Sequence, residues 1–222
     1  MLRRHDLLRV KPATWQAMLR CRPGLADLPL VADWALREWP VIVRRRMASD
    51  LANGVPAALP LPPSHGKRRL AFSFASGAAV VALPPVLLSD AVWAAPARWQ
   101  PVAAALLELG EAVGMTPRVF GALLWQHATG LPYLIDRSDL DLLWFISDER
   151  TAALLVEGLL RLDADGPVRL DGELELPDGA AVNWRELAQS DANLGGKVLV
   201  KTMDGVEVRT RAALFHTPVS LS

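Results

Sequence analysis

Two aspartates separated by a single residue are the strongest chemical feature of this sequence. The run 138–143 reads Ser-Asp-Leu-Asp-Leu-Leu, and this alternation predicts a strand with Asp139 and Asp141 on one face. Two carboxylates on one face repel each other unless a cation lies between them. Oxygen ligands of this kind suit Mg²⁺, so the pair indicates a magnesium site.

A glycine turn precedes the acid pair. Gly121 and Ala122 stand where a short predicted strand, 118–120, gives way to a predicted helix around 122–128. Backbone N–H groups at a helix start can bind a phosphate. We therefore count Gly121, Ala122 and Ser138, the residue before the acid pair, as candidate substrate-binding residues. Turn and acid pair together predict metal-assisted chemistry on a phosphorylated substrate.

A third acid could complete the site. In the predicted strand 167–176, Asp171, Glu173 and Glu175 alternate with Gly172, Leu174 and Leu176, so the three acids can share a face. If this strand pairs beside strand 139–146, one of them can reach the metal. Periodicity alone favours an edge strand with a solvated acidic face, which is a common arrangement.

The elements that must position these residues follow from capping and turn signals. Pro101 suits the first turn of a helix that starts near Trp99 and ends near Gly114. Ser147 predicts the N-cap of a helix that runs to about Leu162. Further predicted elements are a short strand at 180–182, a helical turn from Asn183, and a hairpin formed by 197–203 and 206–209.

The charge distribution divides the chain. Residues 1–80 hold 13 Lys and Arg against five Asp and Glu; from chain totals of 24 and 24, the remainder holds 11 against 19. Charge counts alone favour two solvated charged surfaces, although anion and metal binding could be divided between the halves. The proline-rich stretch 55–66 predicts a rigid extended connection or loop. We predict a basic N-terminal domain at 1–85 and a catalytic domain at 86–222.

Composition narrows the class of protein. The chain has 222 residues, of which 51% are hydrophobic, so it can bury a substantial core. Its one cysteine, Cys21, excludes an internal disulfide and agrees with a reducing cytoplasm. We find no secretory signal and no suitable membrane span. The basic run Arg44-Arg45-Arg46 lacks interleaved aromatic residues, so we predict no nucleic-acid partner.

A family resemblance adds to this interpretation. The glycine turn, the acid pair and a later strand acid resemble the nucleotidyltransferase superfamily of the polymerase beta type. A wider set of motifs is similar to the malonate decarboxylase holo-acyl-carrier-protein synthase family, also called phosphoribosyl-dephospho-CoA transferase. The similarity covers nearly the whole chain, and its further motifs are His5-Asp6-Leu7-Leu8, Val41 to Arg45, Leu61 to Arg69, Leu124-Trp125-Gln126, Thr129 to Tyr133, Asp171-Gly172-Glu173 and Val182 to Glu186.

The resemblance implies a fold and a reaction. The fold is α+β: a nucleotidyltransferase-like mixed sheet with flanking helices, plus a small basic N-terminal region. The donor is 2'-(5''-triphosphoribosyl)-3'-dephospho-CoA, the acceptor is a serine on the apo acyl-carrier subunit of malonate decarboxylase, and pyrophosphate leaves. Magnesium is the implied metal.

The same resemblance assigns roles to residues. Asp139 and Asp141 would hold Mg²⁺, with Asp171 as the third acid and Glu173 in reserve. Basic residues of the N-terminal half would meet the anionic donor or an acidic carrier protein, and the candidates are Arg44, Arg45, Lys67 and Arg68.

One departure from the superfamily pattern leaves alternatives open. Ala122 stands where a serine usually follows the glycine, so a hydroxyl contact to phosphate is missing. The first alternative function is another Mg²⁺-dependent nucleotidyltransferase that uses an ordinary nucleotide donor. The second is a non-catalytic module that keeps the fold and binds a carrier protein.

Overall fold

Alternating apolar residues build two β-sheets, one in each of two units. The computed structural model describes residues 2–75, 77, 80–190 and 196–215. Unit 1 contains Met1–Pro85 and Ala128–Tyr133, and unit 2 contains Val86–His127 and Leu134–Ser222. Ala128–Tyr133, which the sequence analysis placed in the second domain, thus packs with unit 1. The Tyr133 hydroxyl donates to the Pro60 carbonyl at 2.8 Å within this unit.

In its described residues, unit 1 is an antiparallel sheet with two α-helices. The strand order is β4-β3-β2-β1-β5, and each neighbouring pair is antiparallel. Buried aromatic residues, including Trp15, Trp34 and Phe72, form much of its core. The elements are β1 (Leu7–Val10), α1 (Pro12–Arg20), α2 (Pro23–Ala26), β2 (Val41–Val43), β3 (Val55–Pro60), a 3₁₀ turn (Pro63–His65), β4 (Arg69–Phe74) and β5 (Val80–Leu83).

The proline-rich stretch is part of this sheet, so the prediction of a connection or loop over 55–66 is wrong for its first half. Strand β3 lies between β2 and β4 although it contains two prolines. Its pairing with β2 involves Ala57 and Ala58, and Pro56 and Pro60 lie outside that pair. Both prolines are in register with β4, Pro56 with Ser73 and Pro60 with Arg69. The Pro56 carbonyl accepts the Arg44 N–H at 3.2 Å, so the backbone edge of Pro56 that lacks an N–H faces the β2 side, beyond the residues that pair with β2.

Unit 2 holds the predicted acids in a mixed sheet, whose six strands in the described part of the chain have the order β11-β10-β9-β8-β7-β6. The pair β7–β8 is parallel, and the other pairs are antiparallel. The elements are α3 (Leu88–Ala91), 3₁₀ turns (Val92–Ala94 and Ala97–Trp99), α4 (Gln100–Val113), β6 (Arg118–Val119), α5 (Gly121–Thr129), β7 (Leu140–Phe145), α6 (Glu149–Asp165), β8 (Leu170–Glu175), β9 (Ala181–Asn183), α7 (Trp184–Gln189), β10 (Lys197–Lys201), β11 (Val206–Thr210) and a 3₁₀ turn (Arg211–Leu214).

The two faces of this sheet differ in chemistry. Leu140, Leu142 and Trp144 of β7 are buried on one face, and helices α6 and α7 pack against β8. Side chains alternate along a strand, so the other face carries Asp141 and the acids of β8. We call this second face the acidic face.

Helix ends match the sequence prediction closely for α4 and less closely for α6. Gly114, at φ +70°, ends α4 in the left-handed conformation. The N-cap of α6 is Asp148, one residue after the predicted Ser147, because the Asp148 carboxylate accepts the Thr151 N–H at 2.8 Å. This helix continues to Asp165, three residues beyond the prediction.

The α+β class and the mixed sheet with flanking helices are confirmed. Residues 191–195 and 216–222 of the predicted catalytic domain lie outside the described residues. Across the described part of the chain, no helix is long and apolar enough to span a membrane.

Candidate active site

The turn at Gly121 is shaped around the Asp141 carboxylate. Gly121 opens α5 with φ at +63°, a conformation that side-chain-bearing residues rarely adopt. A Cβ added at this position would lie 1.8 Å from Asp141 Oδ2. The carboxylate therefore occupies the space that any other residue at 121 would fill, and it lies directly against the start of α5. The Phe120 N–H donates to the Asp141 carbonyl at 3.1 Å and fixes the approach.

Strand pairing brings Asp171 beside Asp141. The parallel register aligns Asp141 with Asp171, so both side chains lie on the acidic face of adjacent strands. Asp171 Oδ1 accepts hydrogen bonds from the Gly172 N–H at 2.7 Å and the Asn183 amide at 3.0 Å. These two donors orient the Asp171 carboxyl group. Asn183 also caps α7, because its Oδ1 accepts the Arg185 N–H at 2.9 Å.

Asp139 precedes β7 and forms an ion pair. Arg169 Nη1 donates to Asp139 Oδ2 at 3.1 Å, and both side chains retain solvent exposure, 57% for Arg169 and 32% for Asp139. Ser138 closes the turn before the strand, since its hydroxyl oxygen accepts the Ile135 N–H at 2.9 Å. The Ser138 O–H itself remains a possible donor to a ligand.

The acids beyond Asp171 are buried in ion pairs rather than solvated. Strand β8 is central in the sheet, so the prediction of an exposed acidic edge is wrong. Glu173 accepts from Lys201 Nζ at 2.7 Å, and Glu175 accepts from Arg118 Nη2 at 2.6 Å. Both glutamates are 4% exposed. Glu173, the reserve ligand, therefore has a lysine partner, and Lys201 neutralises its charge.

The predicted donor-binding cations lie in unit 1. Arg45, Lys67 and Arg68 are exposed, and their role stays a prediction. Arg44 is different, because all five of its N–H donors have acceptors within this unit. Nε donates to the Ala57 carbonyl, and the two terminal nitrogens donate to both Asp50 oxygens and to the carbonyls of Arg45 and Phe72. The hydrogen bond from Arg44 lowers the pKa of Asp50 below its ordinary value. The contacts give Arg44 a structural role.

Two residues that touch the predicted acids were not assigned a role from sequence. Arg169 contacts Asp139, and Asn183 contacts Asp171. A helix N-cap signal at Asn183 is visible in the sequence, since Asn precedes the start of a short helix. No local pattern indicates the Asp139–Arg169 pair, because it depends on the register of two strands about 30 residues apart.

The acids do not form a complete metal cage. Within the described residues, no group of three or more His, Cys, Asp and Glu side chains is placed to hold a metal ion. Mg²⁺ is commonly bound by one or two carboxylates together with waters and substrate phosphates. Carboxylates beside a helix that starts at a glycine are typical of the class of proteins that act on phosphorylated substrates.

Comparison with known proteins identifies the family within that class. Residues 86–212 match the family described as Phosphoribosyl-dephospho-CoA transferase MdcG C-terminal domain, and residues 3–85 match the corresponding N-terminal domain. The chain belongs to the phosphoribosyl-dephospho-CoA transferase family and is a transferase. The family expected from the sequence motifs is thereby confirmed.

Curated relatives support this membership. A phosphoribosyl-dephospho-CoA transferase of Bradyrhizobium diazoefficiens is 42% identical over 209 residues, which cover 94% of this chain and 90% of the relative. One from Xanthomonas campestris pv. campestris is 40% identical over 187 residues, or 84% of this chain and 86% of the relative. A third, from Xanthomonas euvesicatoria pv. vesicatoria, is 38% identical over 216 residues and 97% of each chain. No solved structure gives a significant match.

Proposed function

We propose that this protein transfers the phosphoribosyl-dephospho-CoA group from 2'-(5''-triphosphoribosyl)-3'-dephospho-CoA to a serine of the apo acyl-carrier subunit of malonate decarboxylase, with release of pyrophosphate. The name shared by the curated relatives supports the transferred group. The observation that carries the site is the contact between Gly121 and the Asp141 carboxylate, which places an acid against the start of α5.

The bond changes in this reaction are simple. The serine oxygen forms a bond to the α-phosphorus of the donor's triphosphate, and the bond from that phosphorus to the pyrophosphate oxygen breaks. The serine proton must leave during the attack, and Asp171 is the carboxylate that we assign to orient the hydroxyl and accept this proton. Its two hydrogen-bond donors, the Gly172 N–H and the Asn183 amide, hold it in one orientation.

The donor set suits Mg²⁺. Asp139 and Asp141 would hold the ion, and Asp171 would lie beside it on the neighbouring strand. The bound ion would neutralise charge on the phosphates and on the leaving pyrophosphate. Backbone N–H groups after Gly121 would bind phosphate oxygens, a role that requires no hydroxyl at Ala122. We propose that the reaction takes place in the cytoplasm. Cys21 is the one cysteine of the chain, so the protein has no internal disulfide that would require an oxidising compartment.

Intact mass spectrometry of the carrier protein tests the proposal. The purified protein, Mg²⁺, the triphosphoribosyl-dephospho-CoA donor and apo carrier are incubated together, with ATP and CTP as parallel donors. We expect the carrier to gain the mass of the prosthetic group with the first donor. Asp139→Asn and Asp141→Asn should abolish the gain while the thermal unfolding midpoint stays near the wild-type value, since both side chains are partly exposed.

Asp90→Asn is the matched control, because Asp90 is an exposed carboxylate on α3 in the same unit. This variant should transfer at the wild-type rate. A nucleotide-sized gain with ATP or CTP would keep the chemistry and reject the donor. No gain under any condition would favour the carrier-binding module, and near-normal transfer by Asp139→Asn would reject the metal assignment.

A further inference from the structure

Arg169 occupies a position that mirrors Asp139. Asp139 directly precedes β7 and Arg169 directly precedes β8, and the parallel register starts from the pair Leu140 and Leu170. The Leu140 N–H donates to the Arg169 carbonyl at 3.0 Å, which fixes the two strand starts side by side. The Arg169 guanidinium therefore lies on one of the two carboxylates that we assign to the metal, at 3.1 Å.

Other basic side chains near this part of the sheet have partners that hold them in place. Arg118 and Lys201 neutralise glutamates that are 4% exposed, and Arg185 binds Asp163 and the Leu170 carbonyl, both at 2.6 Å. If Arg118 or Lys201 moved away, its glutamate would remain as a buried, unpaired charge. Arg169, by contrast, is 57% exposed, and in the described parts of the chain Asp139 is the acceptor for its guanidinium. An exposed pair of this kind is weak, so Arg169 can leave Asp139 at little cost.

A cation bound by Asp139 would displace this arginine. A divalent ion and a guanidinium on the same carboxylate repel each other, and the ion carries the greater charge. Phosphate oxygens accept the same two-pronged hydrogen bonds from arginine as a carboxylate does. The displaced guanidinium thus has a suitable new partner wherever a polyphosphate approaches the metal.

We propose that Arg169 is a substrate-binding residue that exchanges partners during the reaction. In the donor-free protein it neutralises Asp139, and when the metal and the donor bind, it releases this carboxylate and binds phosphate oxygens of the donor's triphosphate. This inference rests on the proposed function, because it takes Asp139 as a metal ligand.

Partner exchange predicts two effects of opposite sign for Arg169→Ala. Without donor, the variant should bind a divalent cation about two- to fivefold more tightly, because the competing arginine is gone. With the metal present, it should bind a polyphosphate about tenfold or more weakly, because a charge-assisted contact is lost. A merely structural role for Arg169 would weaken both or change neither.

Binding measurements on the full chain test this without any transfer reaction. Mn²⁺, which suits the same oxygen ligands as Mg²⁺, is titrated and followed by electron paramagnetic resonance. Inorganic tripolyphosphate is then titrated calorimetrically in the presence of saturating Mg²⁺. Arg169→Lys keeps the charge but not the planar fork, so its tripolyphosphate affinity should lie between those of the wild type and Arg169→Ala.

Arg161→Ala is the matched control. Arg161 is an exposed arginine of the same unit whose ion pair, with Glu157 on α6 at 3.7 Å, joins two residues of one helix. The Arg161→Ala variant changes the net charge by the same amount as Arg169→Ala and should bind Mn²⁺ and tripolyphosphate as the wild type does.

The outcomes separate this inference from the proposed function. If the wild type binds Mn²⁺, Asp139→Asn does not, and Arg169→Ala behaves as Arg161→Ala does with both probes, the role of Arg169 is overturned and the metal site stands. If the wild type binds Mn²⁺ neither alone nor in the presence of tripolyphosphate, the metal assignment fails and the partner exchange fails with it. Tighter Mn²⁺ binding combined with weaker tripolyphosphate binding in Arg169→Ala alone supports the exchange.

Discussion

Gly121 has no side chain, and the Asp141 carboxylate fills the space where one would lie. We predict that Gly121→Ala lowers the rate of transfer about 100-fold, because the new methyl group must displace the carboxylate from its place beside α5. The measurement is the initial rate of carrier modification by intact mass spectrometry. Glycine also relieves backbone strain at positive φ, which costs about 1 to 2 kcal/mol for another residue, so strain needs its own control.

Gly114→Ala provides that control. Gly114 ends α4 in unit 2 with φ at +70°, close to the +63° of Gly121, but an added Cβ would meet nothing within 4 Å. Gly114→Ala should therefore lose the thermal stability that backbone strain costs and keep its activity, while Gly121→Ala should lose at least as much stability and also lose activity. Equal activity in the two variants would show that the close approach to Asp141 has no part in the reaction.

The residues that the sequence could reveal are those with a local pattern. Asp139 and Asp141 are found from alternation within one strand, and Gly121 from a strand-to-helix turn. The contacts of Arg169 with Asp139 and of Asn183 with Asp171 could not be predicted in this way, because they join strands that are distant in sequence. The sequence also could not show that the N–H donors of Arg44 are occupied, because their acceptors come from three different segments of unit 1.

The junction of β9 and α7 connects a helix cap to the third acid. The Asn183 side chain caps α7 with its oxygen and donates its amide to Asp171. We predict that Asn183→Ser keeps the cap, because serine caps helices as well as asparagine, and loses the longer reach to Asp171. Its unfolding midpoint should stay near the wild-type value, while transfer falls about tenfold.

Asn183→Ala separates the two roles. This variant should show the same loss of transfer as Asn183→Ser, together with a loss of about 1 kcal/mol in unfolding free energy from the missing cap. Thermal denaturation and initial rates on the same samples give both quantities. Wild-type transfer by Asn183→Ser would mean that the amide does not position Asp171.

Elements with strong local signals were predictable, and their neighbours in the sheet were not. Helix α4 follows from Pro101 and Gly114, and the β10–β11 hairpin from its Asp-Gly turn. Strand β8 shows the limit. Its acidic alternation is typical of a solvated edge, yet β8 is central in the sheet. Arg118, 57 residues before Glu175, neutralises that buried acid. Periodicity reports that a face is polar and does not report what covers it.

Each of the two units has its own sheet and its own hydrogen-bonded aspartate, so acid should weaken the two units through different groups. In unit 1, the Asp50 carboxylate is 6% exposed and accepts two hydrogen bonds from Arg44. This contact lowers the pKa of Asp50. In unit 2, the backbone N–H of Thr151 lowers the pKa of Asp148 at the start of α6.

The sign of the pH effect follows from the direction of these shifts. A carboxyl group whose pKa is lower in the folded protein stabilises it fully above the unfolded pKa, near 3.8 for aspartate. That contribution is lost as the pH falls through the lower, folded pKa. Asp50 therefore stabilises unit 1 at neutral pH, and its contribution disappears only in acid below about pH 4.

Asp50→Asn tests this for unit 1. At pH 7 we expect a loss of about 1 to 3 kcal/mol, because Arg44 keeps its place but loses a charged partner. Hydrogen exchange should quicken in β3 and β4, whose Ala57 and Phe72 carbonyls accept from Arg44, and stay unchanged in β7 and β8 of unit 2. The difference in unfolding midpoint between wild type and variant should then shrink as the pH falls below about 4, since a protonated Asp50 resembles the asparagine. A difference that persists undiminished in acid would show that the charge of Asp50 is not what stabilises unit 1.

Asp148→Asn supplies the comparison in unit 2. Asparagine caps helices as well as aspartate does, so the stability of this variant at pH 7 should differ little from that of the wild type. Hydrogen exchange in unit 1 should stay unaltered.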